Sequence, residues 1–123
     1  MTASSLVMAI AGMAGLFMPA ELAASFGADG NRLLQVLIQL SGALYLGFAM
    51  ANWMGKGLTI GGIYGRPLSI ANFTHFFIGA IALLKVLPSG EISWPFATIL
   101  AVYMLFAVLF GYLVFFHRSG ASQ

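Results

Sequence analysis

Four apolar stretches, each close to the length of a bilayer crossing, take up most of this chain. They cover residues of about 4–19, 31–54, 67–87 and 93–116. A hydrocarbon core of ~30 Å accepts roughly 20 apolar residues as helix. Hydrophobic residues make up 61% of the chain and charged residues 7%, against about 25% charged in soluble domains. A soluble fold of this length has too much surface for its volume to hide that many apolar side chains. Lipid is therefore the expected solvent for them. The links PAELAASFGADG, GKGLTIGGIYGR and PSGE are short, and short links force neighbouring helices antiparallel. The expected fold is all-α, an up-down four-transmembrane-helix bundle in a single domain over residues 1–123. Within the first link, Pro19 starts one interfacial helical turn and Gly27 stops it.

Charge and cysteine usage exclude several classes. With no cysteine, disulfide chemistry, thiol nucleophiles, iron–sulfur clusters and thiolate zinc sites drop out together. Five Lys and Arg stand against three acids with no basic run, so nucleic acid is not an expected partner. The first stretch lacks the basic n-region of a signal peptide and reads as a span. Lys56, Arg66 and Arg118 fall on the side of the two termini. Arg32 and Lys85 fall opposite, with Glu21, Asp29 and Glu91. Three basic residues against two place the termini in the cytoplasm by the positive-inside rule. The bias is small enough to admit dual topology.

No charged residue lies deep in a span, which weighs against ion or proton transport. Neutral polarity remains. In the second stretch Gln35, Gln39, Gly42, Ala49, Asn52 and Lys56 recur at helical spacing, and in the third Ser69, Asn72, His75 and Gly79 do the same. Across the second link, Tyr45 and His75 fall at similar depth, ~12 Å into the third helix at 1.5 Å per residue. The expected site is a polar crevice between the second and third long helices, formed by Tyr45, Asn52, Asn72 and His75, with Gln39 further along. It either glues helices together or hydrogen-bonds a lipid, sterol or quinone carbonyl. No cofactor or metal is implied: His75 and His117 sit at different depths and cannot share a haem iron, and a metal needs more ligands.

Small residues at four-residue spacing, Ala43–Gly47–Ala51, Ala11–Gly15 and Ala107–Gly111, predict close helix packing inside the bundle or a dimer seam. Trp53, Tyr64 and Trp94 lie where an aromatic belt would place them. The stretch GGIYGRPLSIANFTHFF looks at first like a phosphate loop entering a helix. However, Gly65-Arg66 is followed by Pro67, and neither the Walker nor the dinucleotide spacing is present. It reads as a headgroup-level turn with Pro67 opening the third helix. Arg66 and Lys56 are its candidate lipid-headgroup residues.

Two segments, LLQVLIQLSGALYLGFAMANWMGKG and GGIYGRPLSIANFTHFFIGAIALLK, carry a resemblance over about Pro19 to Lys85. They resemble a group of uncharacterised small bacterial four-helix membrane proteins, with a looser similarity to the DoxX-like layout. Pro19, Phe26, Gly27, Asn52, Trp53, Gly62, Gly65, Arg66, Pro67, Asn72 and His75 match that group's pattern. The resemblance implies a multi-pass protein of the bacterial inner membrane and transfers no catalytic role. A lone histidine without a charged partner is a poor catalytic constellation. The expected function is thus a non-enzymatic accessory subunit or binder of a lipid- or quinone-like ligand. The alternatives are a dimeric small-solute channel or carrier, and an enzyme acting on lipid or quinone with His75 as acid or base. The expected partners are the lipid bilayer and a second copy or a larger membrane complex.

Overall fold

The structure is a computed structural model and describes residues 1–58, 62–87 and 94–116. Among the described residues it is helical with no strand: α1 Thr2–Phe17, α2 Pro19–Ser25, α3 Arg32–Met54, a 3-10 turn at Gly55–Gly57, α4 Gly65–Leu84 and α5 Trp94–Phe115. Three helices (α3, α4 and α5) are long and apolar enough to cross a membrane, and the bent pair α1–α2 makes a fourth if it counts as one span. Their surfaces agree with that reading. Ile10 is 72% exposed, Leu44 68% and Val108 67%, a coating that water disfavours and lipid accepts. Among the described residues the coarse expectation, an all-helical chain with helices apolar enough to cross a membrane, holds.

Two helices depart from the expected bounds by two or three residues, and α4 closes early as well, at Leu84 where about 87 is expected. The first helix starts and ends two residues early, at Thr2 and Phe17, and the chain bends by 97° into α2. Pro19 causes the break, because it has no N–H to continue α1 but suits the opening of a new helix. The third long helix opens at Gly65, not at Pro67. Pro67 fits inside its first turn, where no backbone donor is needed.

Other ends follow the sequence signals closely. Gly27 (φ 73°) donates to the Ala24 carbonyl at 2.8 Å, and Ala28 donates to Ala23 at 3.0 Å. This double closure of α2 needs a left-handed residue, which glycine supplies without strain. Asn31 caps α3, its Oδ1 accepting from the Leu34 N–H at 3.1 Å.

The chain forms two compact units, Met1–Gly57 and Leu58–Gln123. In the first, α1 lies antiparallel on α3 and α2 packs on both. Its core is glycine against glycine. A Cβ built on Gly12 would meet the Gly42 carbonyl oxygen at 2.8 Å, and one on Gly42 would meet the Gly12 oxygen and the Leu16 nitrogen at 2.9 Å. Only hydrogen fits there. Of the small residues singled out from spacing, Gly15 joins this seam, with a built Cβ 3.0 Å from Gly42 Cα. Ala11, Ala43, Gly47 and Ala51 are exposed, so packing inside the first unit does not use them. At 100° per residue, Gly47 lies about 140° around α3 from Gly42, away from α1.

In the second unit α4 and α5 run antiparallel, joined by an aromatic ladder. Phe76 stacks on Phe106 with ring centroids 4.9 Å apart, and Phe73 meets Phe115 edge-on at 5.5 Å. Phe76, Ala80, Phe106, Ala107 and Phe110 are buried here, which places Ala107, one of the expected small packing residues, inside the α4–α5 contact.

Candidate functional site

The residues expected in the polar crevice are distributed over both units. Asn52 and Tyr45 stand on α3 in the first, and Asn72 and His75 on α4 in the second. Asn52 is fully buried, and its Nδ2 donates to Met8 Sδ at 3.6 Å, a weak acceptor. One turn earlier, Ser5 Oγ of α1 donates to the Ala49 carbonyl of α3 at 2.8 Å. Both bonds join α1 to α3. Tyr45 is half-buried. Gln39 is exposed. Helical geometry puts it about 60° from Gly42 on one side, while Asn52 lies about 80° away on the other.

On α4 the expected polar face is present. Ser69 and Asn72 are buried and His75 is half-buried. Ser69 Oγ donates to the Gly65 carbonyl at 2.9 Å, and Asn72 Nδ2 to the Leu68 carbonyl at 2.8 Å. Both return to the helix one turn back, a common way for short polar side chains to be satisfied in an apolar setting. His75 reaches across instead. Its Nε2 lies 3.3 Å from the Tyr103 hydroxyl of α5, where the tautomer decides which atom donates.

Tyr103 is the residue that sequence reasoning missed. A signal for it exists. His75 lies nine residues before the end of α4 at Leu84, and Tyr103 nine residues after the start of α5 at Trp94. An antiparallel hairpin places them at one depth. Gly79, one turn after His75, makes the seat: a Cβ there would fall 2.6 Å from Tyr103 Cδ1 and collide with Cε1. With hydrogen in that place the phenol lies flat on α4 and its hydroxyl arrives at the imidazole. The Phe76 ring packs edge-on against both, with centroids 5.1 Å from His75 and 5.3 Å from Tyr103. The result is one polar pair in the middle of two apolar helices. Among the described residues no buried side-chain nitrogen or oxygen lacks a hydrogen-bond partner.

The candidate headgroup residues are both exposed at helix ends. Arg66 sits in the first turn of α4, and Lys56 lies in the 3-10 turn after α3 with Nζ 3.4 Å from the centroid of the Trp53 ring. Trp53, Tyr64 and Trp94 are exposed beside helix ends, as a belt requires. His117, Arg118, Glu91 and the PSGE link lie outside the described residues. Compared with family models, curated proteins and solved structures, the chain matches none of them.

Proposed function

We propose that this is a four-crossing protein of the bacterial inner membrane, its long helices passing up and down in turn with both termini in the cytoplasm, and that it binds an apolar ligand without transforming it. The ligand is a lipid or quinone-like molecule that offers one carbonyl or hydroxyl to His75. The observation that carries this reading is the His75–Tyr103 pair itself. An ionisable side chain within a membrane span is costly and is by default a functional candidate. The hydroxyl holds the imidazole in one orientation, and Asn72, three residues before His75, extends the same polar face. The resemblance of GALYLGF and GGIYGRP to small bacterial membrane proteins supports the location, and the three-to-two distribution of basic residues supports the orientation.

The test is ligand content. Protein purified in mild detergent is expected to carry an extractable apolar molecule, identified by mass spectrometry. His75→Ala is expected to lower its occupancy about tenfold, the size of one hydrogen bond of about 1.4 kcal/mol. Tyr103→Phe is expected to lower it less, because the imidazole remains. If His75→Ala leaves the extracted molecules unchanged, the pair is helix glue and the proposal fails. A second reading rests on the exposed Ala43–Gly47–Ala51 stripe. Small residues open to lipid suit a helix–helix seam between two copies, the arrangement a dimeric channel or carrier requires.

A further inference from the structure

A second apolar feature belongs to the first unit alone and is independent of His75. A groove of about 350 Å³ runs along the contact of α1 and α3, floored by Ser5, Ala9 and Ala49 and walled by Leu46, Trp53 and Met54. Small side chains make the floor. The Ser5 hydroxyl in this floor is already committed to the Ala49 carbonyl at 2.8 Å. The groove therefore offers its guest almost no hydrogen bond and suits a hydrocarbon chain. From Leu46 to Met54 it extends over eight residue steps, about 12 Å of helix.

The charge at its two ends is unequal. At the Met54 end the chain turns through Gly55–Gly57, and Lys56 folds back over Trp53 with Nζ 3.4 Å from the ring centroid. That contact holds a flexible cation beside the mouth of the groove, at the level where tryptophan marks a membrane interface. No acid of this unit lies near it. Glu21 is on α2 and Asp29 in the turn before α3, both at the opposite end of the antiparallel pair. An apolar slot with an ammonium at one end, and no acid of its own unit beside it, complements an amphiphile with an anionic head.

We infer that the α1–α3 groove is a binding site for one anionic phospholipid, an acyl chain lying along Ala9 and Ala49 and the phosphate meeting Lys56. The lipid comes from the bilayer that surrounds the helices. Lys56 supplies the preference for an anionic head, and the groove supplies affinity for the chain whatever the head carries.

Native mass spectrometry on the full chain in detergent tests this, with phosphatidylglycerol and phosphatidylcholine of matched acyl chains as probes. The wild type is expected to retain one phosphatidylglycerol in preference to phosphatidylcholine by about fivefold, the scale of one basic residue at an anionic surface. Lys56→Gln is expected to abolish that preference while phosphatidylcholine binding stays the same, and Lys56→Arg to preserve it. Ala9→Phe, which fills the floor, is expected to weaken both lipids. Lys56 is exposed, so its substitution leaves the fold intact and decides the matter even if Ala9→Phe fails to fold. A preference that survives Lys56→Gln, or equal retention of both lipids by the wild type, overturns the site.

Discussion

At position 79 a single methyl group decides whether His75 keeps its partner. Alanine is ordinarily the better helix residue, but a Cβ there enters the Tyr103 ring. Overpacking of this kind costs about 1–3 kcal/mol, and the cheapest relief is to swing the phenol away from the imidazole. Gly79→Ala is therefore expected to shift the His75 Nε2 resonance in nitrogen NMR as Tyr103→Phe does, and to lower the thermal midpoint. A wild-type resonance in Gly79→Ala would show that the glycine is no seat. Part of this was legible. His75 stood out as the one histidine deep in a span, and Gly79 as a member of its face. Depth counted across the second link alone points to Tyr45. Counting across the third link leads to Tyr103.

Helix existence and helix faces were legible to different degrees. The long apolar runs, the Asn31 cap and the Pro19-to-Gly27 turn each carry a local signal with a local cause, so the sequence places them closely. Which small residues meet is a tertiary matter. Ala43–Gly47–Ala51 and Gly12–Gly42 are equally good candidates by composition, and only the rotation of α3 against α1 selects the second set. Paired substitutions read that selection directly. Gly42→Ala is expected to destabilise the first unit by about 1–3 kcal/mol through overpacking, because a Cβ there meets backbone atoms of α1 at 2.9 Å. Gly47→Ala, with nothing within 4 Å of the new carbon, is expected to be neutral or stabilising in the same melting assay. Equal losses from the two would mean that the glycine contact is not what holds α1 to α3.

For the whole molecule, the open stripe on α3 makes association measurable. The chain has no cysteine, so any introduced thiol is unique. Ala43 and Ala51 lie four residues to either side of Gly47. In a dimer of like-oriented copies, Ala43→Cys and Ala51→Cys each cross-link to themselves. In a dimer of opposed copies, they cross-link to each other when the two variants are mixed. Gly47→Cys is expected to cross-link in either arrangement, and its failure to do so in membranes would remove the dimer reading. A different consequence follows from the bend after α1. Its 16 residues reach about 24 Å at 1.5 Å per residue, less than a hydrocarbon core of about 30 Å. The chain turns aside by 97° after α1, so α2 does not lengthen α1 along its own direction. If the bent pair serves as one crossing, the mismatch is met by thinner lipid, by snorkelling of flanking residues or by association, at a cost of a fraction of a kcal/mol for each ångström. On the four-crossing reading, membrane thickness itself becomes a force sorting where the protein resides.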